Sequence, residues 1–360
     1  MNDPSGPLQT MAMTTPTHYW NDSCSPTELH YALARGAVGA TSNPVIILNV
    51  LKNEGADWKE FIAETVASNP SWSEIDVAWK VYEALAIHGS KLLLPVFESS
   101  RGKLGRLSIQ TNPAFYRNSH AILRQTMYFH RLAPNFNIKI PATRAGIEMI
   151  EEATYLGVSI NATVSFTVPQ VIAAAEAVER GLRRREREGR DVASMSPVAV
   201  IMVGRLDDWL KVIAKRDRVD IAPESLEWPG VACFKKAYQL FQLRGYRVTL
   251  LAAAYRNFYH WTEFIGGDCT LTIPYEWQVK FNASDTIVKD RIHEPVDSTI
   301  MKDLHDKFPE FLQAYEEDGL SVAEFDQYGA TVRTLRAFIQ GWHDFVSLIR
   351  DHMLPNPDAS

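Results

Sequence analysis

The sequence predicts an α/β protein built as a single (β/α)₈ barrel of the TIM type. Eight short apolar segments that favour β-strands alternate with segments of helical periodicity over about 260 residues, which is the pattern of such a barrel. Several of these segments end in a polar or ionisable side chain, as barrel strands do where they carry catalytic residues. The alternative is a doubly wound sheet, but no GxGxxG follows the first strand and GxxxxGK[ST] is absent, so its usual nucleotide sites have no support.

The predicted strands follow one another along the chain, separated by segments that start or end helices. The first is followed by Ser25-Pro26, a cap residue and a proline that favour a helix start, and residues 57–95 have helical periodicity. The predicted strands are residues 17–23, a second ending at 39–44, then 105–111, 137–143, 158–164, 197–203, 248–254 and 269–273. The side chains expected to meet at one mouth of the barrel are those of Asp22, Asn43, Gln110, Lys139, Thr163, Arg205 and Arg256.

Three regions are predicted along the chain. Residues 1–16 are polar and carry no basic start or apolar stretch, so we expect a frayed or disordered tail and no secretory signal. Residues 17–285 form the barrel. Residues 286–360 are expected to be C-terminal helices packed on the barrel, because Phe338, Trp342, Phe345 and Leu348 recur at helical spacing.

Composition excludes several classes of protein. No apolar run approaches the roughly 20 residues of a membrane span, so no membrane association is predicted. The net charge of −6 argues against nucleic acid as a partner, and the basic run at residues 180–190 has no interleaved aromatic residues for stacking on bases. Cys24, Cys233 and Cys269 are widely spaced and no HExxH occurs. We therefore expect no metal site and a reducing, cytoplasmic location.

Lys139 is the candidate nucleophile. It lies inside an apolar, β-prone segment that ends at Pro141, where a lysine is unusual because removing an ammonium group from water costs several kcal/mol. A buried lysine can lose its proton instead, and the neutral amine forms a Schiff base with a ketone. The alternative is a strand-end lysine whose ammonium group extends into solvent.

With these segments placed, the sequence resembles the transaldolase family. Single motifs are weak, but their ordered set is specific and covers residues from about 17 to 350. The matching segments are Thr41-Ser42-Asn43-Pro44, Ile138-Lys139-Ile140-Pro141-Ala142-Thr143, Ile160-Asn161-Ala162-Thr163, Gly204-Arg205, Tyr255-Arg256-Asn257 and Glu317-Asp318-Gly319.

The resemblance implies transfer of a dihydroxyacetone unit from a ketose phosphate to an aldose phosphate through a lysine Schiff base, without a cofactor. Its substrates would be small sugars or sugar phosphates, and because family members are often dimers, a homodimer is one expected assembly. By position, Lys139 matches the Schiff-base lysine, Asp22 the acid/base aspartate, Thr163 the threonine that helps to hold the catalytic water, Asn43 the asparagine that contacts donor hydroxyls, and Arg205 and Arg256 the phosphate-binding arginines. Thr41, Ser42, Asn161 and Met202 are further candidate substrate-binding residues.

The sequence departs from the family pattern at four positions. Gln110 stands where transaldolases usually carry a glutamate, and an amide cannot titrate. The related fructose-6-phosphate aldolases also have glutamine there, so cleavage without an acceptor, a lyase reaction, is the rival. Met202 replaces an aromatic residue, and Val200 and Ala254 replace serines, so the donor is expected to have a less polar or differently charged tail.

A third interpretation is a sugar-binding barrel without catalytic activity. The substitutions at Gln110, Val200 and Ala254 would permit it. The intact set of Asp22, Asn43, Lys139 and Thr163 argues against it, because binding alone needs no nucleophilic lysine in a strand.

Overall fold

A computed structural model describes residues 6–358, and a closed barrel of eight parallel strands in sequence order forms its centre. The (β/α)₈ prediction is therefore confirmed. Each strand is shorter than its predicted segment, because the terminal residues of the segments belong to loops, bends or the starts of helices. The strands are β1 His18–Asn21, β2 Gly39–Thr41, β3 Arg106–Gln110, β4 Phe136–Pro141, β5 Ile160–Thr163, β6 Val198–Met202, β7 Thr249–Ala253 and β8 Thr270–Ile273.

Helices follow the strands and cover the barrel. Many begin with a side-chain cap or a proline in the first turn, as at Ser25-Pro26 and Asn43-Pro44. The predicted helical segment 57–95 is two helices, α3 and α4, separated at residues 69–73. The helices are α1 Pro7–Thr14, α2 Pro26–Leu33, α3 Pro44–Ser68, α4 Glu74–Ser99, α5 Ser119–His130, α6 Arg144–Tyr155, α7 Val168–Arg187, α8 Val203–Asp217, α9 Pro229–Arg244, α10 Tyr259–Thr262, α11 Tyr275–Asn282, α12 Ser298–Lys307, α13 Pro309–Tyr315 and α14 Gly329–Met353.

Strand register decides which side chains face the barrel interior. Gln110 of β3 pairs with Lys139 of β4, and Lys139 pairs with Asn161 of β5, so these three residues lie in one row across neighbouring strands. Side chains alternate along a strand, so residues two apart share a face. The inward side of β3 to β5 is therefore polar. The same alternation puts Val200, Met202, Leu251 and Ala253 of β6 and β7 on an apolar inner wall.

The N-terminal segment corrects one expectation. Residues 7–14 form a helix, α1, whose Leu8 and Met11 side chains are fully buried, so this part of the chain is not frayed. The indole Nε1–H of Trp261 lies 3.1 Å from Met11 Sδ. Two apolar residues are too few to predict such docking, because the surface that receives them comes from residues 250 positions later in the chain. Residues 1–5 lie outside the described part of the chain.

The last helix closes one side of the mouth. Helix α14 packs against α3 and α4, with Trp342 stacked on Trp79 at a ring-centroid distance of 4.1 Å. Phe338 and Phe345 of the predicted apolar stripe are buried, and Phe338 also lines the cavity at the barrel mouth. No helix in the described residues is long and apolar enough to cross a membrane.

We predict that Met11→Ala lowers the free energy of unfolding by about 2 kcal/mol, because it removes a fully buried side chain that anchors α1. Met13→Ala is the matched control: Met13 lies in the same helix with 73% of its surface exposed, and its loss should change stability by less than about 0.5 kcal/mol. Urea titration followed by circular dichroism measures both values. Equal stability of the two variants would contradict the docking of α1.

Candidate active site

A cavity of about 320 Å³ opens at the carboxyl ends of the strands. It is lined by nine of the eleven predicted site residues, namely Asp22, Thr41, Asn43, Lys139, Asn161, Thr163, Met202, Arg205 and Arg256. The two others, Ser42 and Gln110, lie behind this lining. Carboxyl ends of parallel barrel strands meet at one face, which explains why residues so distant in sequence come together.

The amine of Lys139 is buried at the floor of this cavity. The side chain is only 6% exposed, and its Nζ donates a hydrogen bond to the backbone carbonyl of Ser42 at 2.9 Å. Burial lowers the pKa of Lys139 from 10.5 to about 8, and the nearby Asp22 carboxylate opposes that change. At pH 7 about a tenth of this amine is therefore neutral, compared with less than about a thousandth of an ordinary lysine.

Ser42 contributes through its backbone. Its carbonyl accepts the Lys139 hydrogen bond, while its own hydroxyl donates to the carbonyl of Ser108 at 2.9 Å. The hydroxyl is thus used within the barrel wall. The backbone of Ser42 orients Lys139, and the Ser42 side chain does not line the cavity.

Asp22 lies at the end of β1 beside a pair of threonines. Thr41 Oγ1 donates to Asp22 Oδ1 at 2.5 Å and lies 2.8 Å from Thr272 Oγ1. Burial raises the pKa of Asp22, and the opposing influences of Lys139, the Thr41 hydrogen bond and Arg205 are smaller. A carboxyl group with a raised pKa can exchange a proton with a substrate near neutral pH. Thr272 was not singled out from the sequence, although its place on the inward face of β8 follows from strand alternation.

The Gln110 side chain is buried next to Lys139 in the register, and its Oε1 has no hydrogen-bond partner. Asn161 is similar: its Nδ2 donates to Ser108 Oγ at 2.9 Å, but its Oδ1 is unpaired. Two unpaired buried acceptors on one polar wall are costly unless water or a ligand donates to them. Thr163 lies two residues beyond Asn161 on the same face of β5, and both residues line the cavity.

Asn43 is fixed by its role as the cap of α3. Its Oδ1 accepts hydrogen bonds from the backbone N–H groups of Val45 and Ile46 at 2.9 and 3.0 Å. The amide nitrogen of the same side chain remains as a donor to a ligand in the cavity. The helix start thus aims a polar donor at the site without a flexible side chain.

The two arginines are held differently. Arg205, in the first turn of α8, lies over the Phe338 ring at 5.2 Å, and its Nε has no partner. Burial, and next the positive charge of Arg256, lower the pKa of Arg205. Arg256, just beyond β7, is ion-paired with Asp208, with its terminal NH2 nitrogen 2.8 Å from Oδ2. The partner of Arg256 is thus Asp208, although Asp207 is adjacent to it in the sequence.

Two strand ends next to the cavity have unusual backbone geometry. Val164 follows β5 with φ = +52°, and Ala254 follows β7 with φ = +68°. Such values are rare for residues other than glycine and are found preferentially at functional sites. The carbonyl of Ala254 accepts a hydrogen bond from Gly204 N–H at 3.0 Å, and a Cβ at position 204 would lie only 2.1 Å from that oxygen. Position 204 therefore requires glycine, and this close approach sets Arg205 next to the end of β7.

Sequence reasoning missed several residues at the mouth. Phe338, Trp277 and Glu276 line the cavity from helices that follow the strands, and strand-end motifs do not reveal them. His260 belongs to no catalytic or metal-binding sequence motif, but it is fully buried and hydrogen-bonded to Asp207. Within residues 6–358, no three His, Cys, Asp or Glu side chains are grouped so that they could hold a metal ion.

Comparison with known proteins assigns the family. The family described as "Transaldolase/Fructose-6-phosphate aldolase" matches residues 19–332. A transaldolase of Thiobacillus denitrificans is 29% identical over 320 residues, covering 85% of each chain, and transaldolase 2 of Nostoc punctiforme is 27% identical over 309 residues, covering 76% of this chain and 79% of its own. Transaldolase 1 of Streptomyces avermitilis is 28% identical over 222 residues, covering 60% of this chain and 58% of its own. The match to the family covers most of the barrel and includes every strand end that lines the cavity, and the chain therefore belongs to the transaldolase/fructose-6-phosphate aldolase family.

Proposed function

We propose that the protein is a Schiff-base transferase that moves a dihydroxyacetone unit from a ketose, with or without a phosphate, to an aldose acceptor. The observation that carries the proposal is the buried Lys139 amine, whose lowered pKa suits a nucleophile, in one cavity with the Asp22 carboxyl group. Membership of the family supports the same reaction class. The three cysteines are buried and unpaired, which suits the reducing cytoplasm.

The reaction begins at Lys139. Its neutral amine attacks the C2 carbonyl of the donor, and loss of water with uptake of one proton from solvent gives a protonated imine; final hydrolysis returns that proton. Asp22 as carboxylate then takes the proton of the C4 hydroxyl, the C3–C4 bond breaks, and its electron pair moves to the imine, leaving an enamine on Lys139. The aldehyde product departs. The enamine carbon attacks the acceptor aldehyde, Asp22 returns its proton to the new alkoxide, and water releases the ketose product and the free amine.

The remaining residues bind and orient the donor. Asn43, fixed by its cap bonds, donates from its amide nitrogen to hydroxyls of the three-carbon unit. Thr163 holds the water that adds to and leaves the imine, with the unpaired Gln110 oxygen as a second acceptor for that water. Arg205 and Arg256 bind the charged tail of the donor, since guanidinium groups suit oxyanions geometrically. The apolar wall of Val200 and Met202 suits a tail with fewer hydroxyls than a hexose phosphate.

One observation favours a second candidate, a lyase that cleaves or forms a ketose without an acceptor. Gln110 lies in the row of Lys139, where an amide orients water but cannot carry a proton. Adding an aldose acceptor separates the two: a transferase turns over the ketose only when the acceptor is present, whereas a lyase releases a free three-carbon ketone in its absence.

We predict that borohydride traps dihydroxyacetone or fructose 6-phosphate as a stable secondary amine on Lys139, read by intact mass and peptide mapping. Lys235 is the internal control. It is equally buried, but its amine is ion-paired with Glu263 at 2.7 Å and bonded to two backbone carbonyls, so it should carry no adduct. Lys139→Ala should abolish trapping. A broad ketose panel that gives no adduct on Lys139 would contradict the proposal.

We further predict that Asp22→Asn lowers turnover about 10²- to 10⁴-fold while trapping on Lys139 persists, because the variant loses proton transfer at the C4 oxygen but keeps the amine. Glu276→Gln is the matched control: this carboxylate lines the same cavity but is exposed at its mouth. Its turnover should fall less than about threefold, since an exposed charge contributes little. Equal losses in both variants would remove Asp22 from its assigned role.

A further inference from the structure

A buried histidine and aspartate lie directly behind the arginine that follows β7. His260 Nε2 is 2.7 Å from Asp207 Oδ2, and both side chains are completely buried. The other oxygen of Asp207 accepts the backbone N–H of Gly230 at 2.8 Å, which ties the pair to the start of α9. The second ring nitrogen of His260, Nδ1, accepts a hydrogen bond from the backbone N–H of Arg256 at 3.1 Å. Asp207 on α8 is thus connected to Arg256 through one imidazole ring.

These partners fix the tautomer of His260. Nδ1 must be unprotonated to accept the N–H of Arg256, so the proton lies on Nε2, where the Asp207 carboxylate accepts it. An aspartate that holds an imidazole in one tautomer is a familiar device for orienting a working group. Here the ring presents its acceptor to a backbone amide, and that amide belongs to a residue lining the cavity.

Helix α8 holds the same arginine at two further points. Gly204 N–H binds the carbonyl of Ala254, whose positive φ turns the chain toward Arg256. Asp208 binds the Arg256 side chain at Nε and at one terminal nitrogen, at 3.0 and 2.8 Å. The other terminal nitrogen donates to the carbonyl of Tyr255 at 2.8 Å. A guanidinium has five N–H donors, so one donor remains on each terminal nitrogen, and this pair matches two oxygens of one oxyanion.

We propose that Asp207 and His260 are positioning residues for an oxyanion site: they hold the Arg256 backbone so that its two remaining donors and Arg205 converge on one phosphate group. Arg205 lies in the same helical turn as Asp207 and Asp208. One segment of α8 therefore determines the positions of both guanidinium groups. This inference rests on the proposed function for the origin of the phosphate, which is the tail of the donor or acceptor. The oxyanion site itself consists of the guanidinium groups of Arg205 and Arg256.

Two substitutions at His260 separate positioning from packing. His260→Asn keeps an acceptor near the place of Nδ1 and loses the contact with Asp207, whereas His260→Gln keeps a donor near the place of Nε2 and loses the contact with Arg256. His293→Asn is the matched control, because His293 pairs with Asp290 at 2.9 Å on an exposed surface. The probe is inorganic phosphate, titrated by calorimetry, with melting temperature measured in parallel.

We expect wild type and His293→Asn to bind phosphate within about threefold of one another. His260→Gln should bind at least about tenfold more weakly than wild type, because a backbone shift at Arg256 loses a charge-assisted hydrogen bond. His260→Asn should lose less affinity than His260→Gln, because it keeps the acceptor for Arg256 N–H and loses only the support of Asp207. Arg256→Met should abolish phosphate binding and so locate the site. Melting temperature should fall more in His260→Asn, which leaves Asp207 short of a partner. His260→Gln is thus expected to be the weaker phosphate binder of the two His260 variants, and His260→Asn the less stable one.

The inference is overturned if His260→Gln binds phosphate as wild type does, if His260→Asn is the weaker binder, or if wild type binds no better than Arg256→Met. Should a His260 variant fail to fold, nitrogen NMR of wild-type protein with labelled imidazoles decides: Nδ1 of His260 must be unprotonated, and a proton on Nδ1 would refute the arrangement.

Borohydride trapping of dihydroxyacetone on Lys139 is run in every variant. A missing adduct in wild type counts against the proposed function, whereas an intact adduct with unchanged phosphate affinity counts against the positioning role alone.

Discussion

Removal of the Lys139 amine from water is the constraint on which the rest of the site depends. A charged ammonium group is costly inside a barrel, and the protein compensates with one carbonyl, that of Ser42, and one nearby carboxylate, that of Asp22. Neither restores full solvation, so the pKa of Lys139 falls to about 8. The same enclosure raises the pKa of Asp22. One desolvated cavity thus gives an amine that can lose its proton and an acid that can keep one, which is the pairing that imine chemistry needs.

The strand register of the barrel places Lys139 in a cavity with one polar wall and one apolar wall. The row from Gln110 through Lys139 to Asn161 provides polar groups, two of which keep an unpaired oxygen. Across the cavity, the inward residues of β6 and β7 are apolar, and in the proposed function the charged end of the substrate is held by Arg205 and Arg256. Helix α8 carries Arg205 and also holds Arg256, which makes the spacing of the two guanidinium groups a property of one rigid element.

Much of the fold and the chemical centre could be predicted from sequence, because both depend on local patterns. Alternating strand and helix periodicity predicted the barrel, and a lysine inside an apolar strand predicted the buried amine of Lys139, whose role as nucleophile stays a prediction. Contacts between distant residues outside the strand ends could not be predicted. The His260–Asp207 pair joins residues 53 positions apart, and nothing in either segment indicates the other. Similarly, the docking of α1 depends on Trp261, and the choice of Asp208 over Asp207 as the partner of Arg256 depends on the turn of a helix.

The central claim is that Lys139 is a buried amine with a lowered pKa, and its titration tests this most directly. The protein is labelled briefly with an amine-acylating reagent at a series of pH values, and the rate at Lys139 is read by peptide mass spectrometry. Only the neutral amine reacts, so the rate should rise with pH and level off above about pH 8, whereas ordinary lysines continue to gain reactivity up to their pKa of about 10.4. A Lys139 rate that keeps rising to pH 10 with the other lysines would contradict the account.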